Sequence, residues 1–115
     1  MNTEAVVKQH MVALGKGDME AVMADYSEGA ILCSAQGLSR GHAEIRATIE
    51  PFVKKVLPPG SDFKLQKMLV DGEVAYIAWT AESAGFRLPL GTDTFVVRDG
   101  KIVAQTFTAQ IERKA

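Results

Sequence analysis

Cysteine is almost missing: Cys33 is the one thiol in 115 residues. No internal disulfide can form, and a lone thiol favours a reducing compartment. Histidine is nearly as rare. His10 and His42 stand far apart, and with one cysteine they make no metal-ligand spacing. A basic excess is also lacking. Thirteen Lys and Arg face 14 Asp and Glu, for a net charge of −1, which argues against nucleic acid or an anionic membrane as partner. Aromatic residues are few, and no aromatic and basic stacking platform is visible. No window is apolar for long enough to span a membrane. "MNTEAVVKQH" has an early acid and no long apolar stretch, unlike a secretory signal. Repeats, low-complexity tracts and dividing linkers are absent too. We expect a cytoplasmic protein of one domain, residues 1–115, with no metal and no cofactor.

What is present suits one packed core: 47% of the residues are hydrophobic and 23% charged. The first half reads as helical. In "NTEAVVKQHMVALGKGD", Asn2 or Thr3 can cap a helix. Val6, His10, Ala13 and Val7, Met11, Leu14 recur at helical spacing, and Gly15 and Gly17 end it. Asp18 caps a second helix, "MEAVMADY". "SEGA" reads as a turn, "AILCSAQ" as a short strand and "GLSRG" as a loop. "HAEIRATIEPFVKKV" is a third helix that Pro51 should kink or end, and "LPPGSD" breaks the chain.

The second half reads as β. "FKLQKMLV" leads to an Asp71-Gly72 turn and the long strand "EVAYIAWTAES". A connection through Gly85 and Pro89 leads to "TDTFVVR". Asp99-Gly100, a strong hairpin signal, turns it into "KIVAQTFTAQIE". The order α-α-β-α-β-β-β-β predicts an α+β fold: helices packed on one face of a curved antiparallel sheet.

Two features need an explanation. Alternation puts Asp93 on the same face as Phe95 and Val97, so a carboxylate faces apolar neighbours. It is either the wet end of a strand or an acid inside a pocket. The 73–83 strand is apolar on both faces, with Ala75, Ile77, Trp79 on one and Val74, Tyr76, Ala78 on the other. Helices can cover only one of these. A two-fold homodimer through the outer sheet face is the simplest cover for the second.

"ALGKGD", "MADYSEGAIL", "GLSRGHAEIRATI" and "TDTFVVRDGKIV", in that order over nearly the whole chain, resemble the nuclear-transport-factor-two-like (NTF2-like) superfamily. That group includes ketosteroid isomerases and polyketide-cyclase-like (SnoaL-like) proteins. The resemblance implies a cone in which the curved sheet wraps a long helix around a mostly apolar cavity. Ketosteroid isomerases place an Asp base on the first strand, and a first-helix Tyr and a protonated late-strand Asp form their oxyanion hole. By the resemblance, Asp93 matches the late-strand acid, His10 falls where that Tyr stands, and Ser34 falls where the base stands. A serine cannot take a carbon-bound proton near neutral pH unaided, so the resemblance does not carry the standard steroid-isomerase mechanism to this chain.

Asp93, His10 and Ser34 are therefore the expected catalytic residues, with His10 and Asp93 as an acid–base dyad. Tyr26, Leu32, Trp79, Phe95, Gln105 and Phe107 are the expected cavity lining. Cys33, next to Ser34 on a strand, should point the other way as a core thiol, and His42 should be exposed. Two functions fit. One is a cofactor-free proton-transfer enzyme (isomerase, cyclase or dehydratase) acting on a small apolar carbonyl or hydroxyl compound. The other is a non-catalytic module of the same fold that binds a ligand or a protein. An epoxide-hydrolase-like reaction fits less well, since Asp93 has no obvious acidic partner on an inward position.

Overall fold

In the computed structural model, which describes all 115 residues, three helices pack on the inner face of one six-stranded sheet. Helix α1 spans Thr3–Lys16. Of the two expected caps, Asn2 is the one used: its side chain accepts from the Ala5 N–H at 2.8 Å. Gly17 closes the helix in the left-handed region, φ 68°. The buried stripe Val6, Val7, His10 and Ala13 faces the sheet. Helix α2, Met19–Ala24, starts at the Asp18 cap and ends two residues earlier than expected, so that Asp25 caps its C-terminus.

Strand β1 runs Tyr26–Ser34 and absorbs the "SEGA" segment read as a turn. Its pairing slips between Tyr26 and Ile31, and that irregularity accommodates Gly29 and the polar residues. "GLSR" is also a strand rather than a loop. β2, Gly37–Arg40, folds back antiparallel onto β1 and satisfies what would be a free edge. Helix α3, Gly41–Pro51, ends at Pro51 as expected. The chain continues as a π-helical turn, Phe52–Val56, in which the Leu57 N–H reaches five residues back to the Phe52 carbonyl, 2.9 Å. This wider turn continues the helix past a proline that has no N–H to give.

Strands β3 (Asp62–Asp71), β4 (Val74–Glu82), β5 (Phe86–Arg98) and β6 (Lys101–Arg113) follow as a meander. The first hairpin turns on Gly72-Glu73, one residue later than expected, since Asp71 still pairs with Val74. The second turns on Asp99-Gly100 as expected, both with positive φ, 53° and 76°. Strand β5 starts six residues earlier than "TDTFVVR". Pro89 sits where pairing slips between Arg87 and Leu90, a bulge at which its missing N–H costs no ladder bond.

The strand order is β2-β1-β6-β5-β4-β3. The sheet is not wholly antiparallel: β1 and β6 run parallel, because the last strand returns beside the first in the same direction. Alternation along β4 and β5 is as expected. Ala75, Ile77, Trp79 and Asp93, Phe95, Val97 face the helices and are buried. No helix is long and apolar enough to cross a membrane.

Candidate active site

A cavity of about 180 Å³ opens between the inner face of the sheet and the helices. Met11 and Leu14 of α1, Ile49 of α3 and Phe52 of the π-turn form its apolar roof. All six residues expected as lining, Tyr26, Leu32, Trp79, Phe95, Gln105 and Phe107, stand in its wall with His10 and Asp93. The indole of Trp79 lies stacked with the Phe107 ring, 6.4 Å between centroids and 4° between planes.

Asp93 is 8% exposed, in this otherwise apolar surface. Both of its oxygens are held. Trp79 Nε1–H donates to Oδ1 at 2.8 Å, and Gln105 Nε2–H donates to Oδ2 at 2.8 Å. Burial pushes its carboxyl up to about 6, against the pull of those two hydrogen bonds and the His10 charge. The indole reaches Asp93 because Gly91 stands across from Trp79 in the ladder. A Cβ at Gly91 would lie 2.3 Å from the indole ring, so only glycine leaves room for the ring against the strand.

His10 is fully buried, on the α1 stripe. Two consecutive residues grip its ring. Asp25 Oδ2 lies 2.9 Å from Nδ1, and the Tyr26 hydroxyl lies 3.2 Å from Nε2. The end of α2 and the start of β1 meet at these two residues. The β6 start pins this junction: Ile102 N–H donates to the Asp25 carbonyl at 2.8 Å, and Lys101 Nζ donates to the Ala24 carbonyl at 2.6 Å. Gln9 Nε2 donates to the other Asp25 oxygen at 2.7 Å. Burial works to raise the Asp25 carboxyl, but the His10 and Gln9 hydrogen bonds, with the positive charges of His10 and Lys101, outweigh it and hold it below the usual range. Burial, reinforced by the negative charges of Asp93 and Asp25, pushes the Tyr26 hydroxyl far above its usual value, so Tyr26 is a neutral donor and acceptor.

Tyr26 completes the connection by donating to Gln105 Oε1. One chain of hydrogen bonds thus runs Asp25–His10–Tyr26–Gln105–Asp93–Trp79 through the interior. The expected dyad is corrected in form: His10 and Asp93 share the cavity but are bridged by Tyr26 and Gln105. Asp25 was missed; its one signal is its place directly before Tyr26 in "ADY", 15 residues after His10.

Ser34 does not belong to the site. It ends β1 outside the cavity wall, where its hydroxyl accepts from the Gln36 N–H at 3.2 Å and shapes the β1–β2 turn. Cys33 is exposed, not a core thiol, because no helix covers the outer face of β1. His42 is exposed as expected, with Nε2 3.0 Å from the Tyr26 carbonyl. No group of three or more His, Cys, Asp or Glu side chains is placed to hold a metal.

No curated protein matches the sequence. Among solved structures, an NTF2-like protein of unknown function from Cytophaga hutchinsonii matches with TM-score 0.78 and 14% identity, over 96% of this chain and 91% of that one. A candidate ketosteroid isomerase from Kribbella flavida matches with TM-score 0.77 and 18% identity, over 98% and 81%. A candidate polyketide cyclase from Sinorhizobium meliloti matches with TM-score 0.74 and 17% identity, over 90% and 93%. At these identities the likeness is one of fold, and it establishes the NTF2-like cone. The SnoaL-like domain model matches residues 7–105, and the chain belongs to that family.

Proposed function

We propose that the protein binds a compact apolar molecule carrying a carbonyl or hydroxyl and moves a proton on it, in an isomerisation, cyclisation or dehydration. The observation that carries this reading is Asp93, a carboxyl raised to about 6 at the wall of an apolar cavity. A group that changes charge near neutral pH both takes and returns protons effectively. At neutral pH it is mainly a carboxylate and acts first as base. Trp79 and Gln105 each fill one site on its oxygens and leave the remaining lone pairs for the ligand. With Ser34 outside the cavity, Asp93 alone serves as both base and acid toward the substrate.

The test is hydrogen exchange next to the carbonyl of small cyclic ketones in heavy water, followed by NMR. The native protein should exchange these positions on the order of 10²-fold or more faster than Asp93→Asn, the scale of one general base. Exchange that is equal in the two proteins overturns the reading.

A second reading rests on the satisfaction of the polar chain. No buried side-chain nitrogen or oxygen lacks a partner, as in a module that binds without chemistry. Ligand-dependent shifts at Trp79 and Asp93 with no exchange would favour it.

For the sheet's outer face we propose a second copy of this chain as cover. Strand β3 is exposed at nine of its ten positions. Leu69 there is 57% exposed, beside Tyr76, and Val74 of β4 is 46% exposed. The apolar cluster of Leu69, Tyr76 and Val74 on this face is what a two-fold sheet-on-sheet contact would bury.

A further inference from the structure

The protons of the buried chain can be counted. Trp79 Nε1–H is donor-only and fixes one end on Asp93 Oδ1. Gln105 Nε2 faces Asp93 Oδ2, so its Oε1 faces Tyr26. Tyr26 has one hydroxyl hydrogen and spends it on Gln105. Its oxygen can then only accept from His10 Nε2, which must carry a hydrogen. Asp25, held ionised, needs a hydrogen on His10 Nδ1 as well. In this arrangement His10 is an imidazolium and Asp93 a carboxylate.

A second arrangement satisfies the same atoms. The two ends of a primary amide have nearly the same shape, so Gln105 can turn by half a revolution without repacking. Its Nε2–H then donates to the Tyr26 oxygen, and the Tyr26 hydrogen swings to His10 Nε2, which must be bare. Its Oε1 now faces Asp93 Oδ2, which must carry a hydrogen. Between the two arrangements one proton leaves His10 Nε2 and one arrives on Asp93 Oδ2; the network gains and loses none. With neither group protonated one contact in the chain is left mismatched, and with both the Asp93 hydrogen must point into the apolar cavity, where no protein acceptor meets it; each is costly in a buried site.

We propose that Gln105 is a two-position coupler that makes the charges of His10 and Asp93 reciprocal, carboxylate with imidazolium or carboxylic acid with neutral imidazole. Gln105, Tyr26 and His10 are then positioning residues acting through Asp93. Given the proton-transfer reading above, a proton that Asp93 takes from a substrate leaves His10 and Asp93 both protonated, the unfavourable state, and so favours return of that proton to the substrate. The titratable groups around the chain are Asp25 and Tyr26, with Lys101 near Asp25.

The experiment is NMR of the isotope-labelled full chain at neutral pH, with His42 as internal reference. It reads the nitrogen signals of His10 and the carboxyl carbon of Asp93 in the same sample. An ionised Asp93 together with hydrogens on both His10 nitrogens is expected. An ionised Asp93 with a bare His10 Nε2 overturns the proposal, and this needs no variant. Asp93→Asn then perturbs the far end. Its amide oxygen must face the Trp79 N–H, so its NH₂ faces Gln105 and forces the turned arrangement. His10, three hydrogen bonds away along the chain, should lose its Nε2 hydrogen and become the neutral Nδ1–H form. A purely structural Gln105 would leave His10 in the same state in both proteins, and that result also overturns the proposal. These signals are read without ligand, so failure of the exchange experiment does not affect them, and their failure leaves Asp93 as a possible lone base.

Discussion

His10 Nε2 and Asp93 Oδ2 do not touch; the hydroxyl of Tyr26 and the amide of Gln105 stand between them and join them. Each linking group is both donor and acceptor, and neither is ionised. Charge at one end is therefore felt at the other as a change of hydrogen-bond direction, and not only as a field weakened by distance.

The first consequence is a pH dependence of stability. The Asp93 carboxyl lies at about 6 in the fold, against an ordinary value of 3.8. The folded chain holds this proton more tightly than the unfolded chain. The contribution is fully present below the ordinary value and is lost as pH rises through the folded value. A shift of about two units is worth about 3 kcal/mol. Asp25 works in the opposite sense: its folded value is lowered, so its contribution is present above the ordinary carboxylate value and lost as pH falls. Urea unfolding should show the native chain losing about 3 kcal/mol relative to Asp93→Asn as pH rises from below 3.8 to above about 6. Parallel curves for the two would mean that Asp93 is not raised.

Gly91→Ala tests the support of the Asp93 carboxyl. The new methyl cannot share space with the Trp79 ring, so the indole must move off the strand and away from Oδ1. Overpacking of this kind should cost about 1–3 kcal/mol. The chain has one tryptophan, so its fluorescence reports the move directly. An unchanged emission spectrum with unchanged stability would show that the ring has slack the structure does not suggest.

Asp25→Ala removes the acceptor of a fully buried imidazole and leaves Nδ1–H unpaired. For a charged ring the expected cost is about 3–5 kcal/mol, and for a neutral one about 1–3 kcal/mol. Gln9 is exposed and bonds the same carboxylate from outside, so Gln9→Ala should cost under about 1 kcal/mol. Comparing the two by chemical denaturation separates the value of the carboxylate to His10 from its value to the surface. Similar small losses for both would mean that His10 does not depend on Asp25.

Much of this site could be read in the sequence, for definite reasons. Strand alternation around Asp93, Phe95 and Val97 and the helical spacing of His10 each point a polar group inward, and both periodicities hold. What failed lies where periodicity gives out. Asp25 is a single capping residue between a six-residue helix and a strand with irregular pairing, so neither period of 3.6 nor of 2 assigns it a face. Ser34 was placed by likeness of position, but β1 ends there, and an end residue follows the turn rather than the cavity. Cys33 was assigned to the core because free cysteines are usually buried, but no helix covers its side of β1. Pairing of β1 with β6 depends on the path of the whole chain, which no local pattern records.

The outer face gives a prediction of assembly. Leu69 and Tyr76 are direct partners across β3 and β4 on that face, away from the cavity. Leu69→Glu places a charge in the middle of the proposed contact. Sedimentation should show the native chain as a two-chain species. The variant should dissociate at least about tenfold more readily, equivalent to about 1.4 kcal/mol. A native chain that sediments as a single copy at all concentrations removes the proposal.

Strand β6 enters the middle of the sheet, between β1 and β5. It is the last thirteen-residue element of the chain to be made. Until it arrives, β1 has only the short β2 beside it, and the bond from Tyr26 to Gln105, 79 positions apart, has no acceptor. The fold therefore pays a long loop closure before its most distant contacts can form, which places it among slow-folding topologies. It also means that the two halves of the polar chain, His10 with Asp25 and Tyr26 on one side and Trp79 with Asp93 on the other, stay separate until β6 brings Gln105 between them.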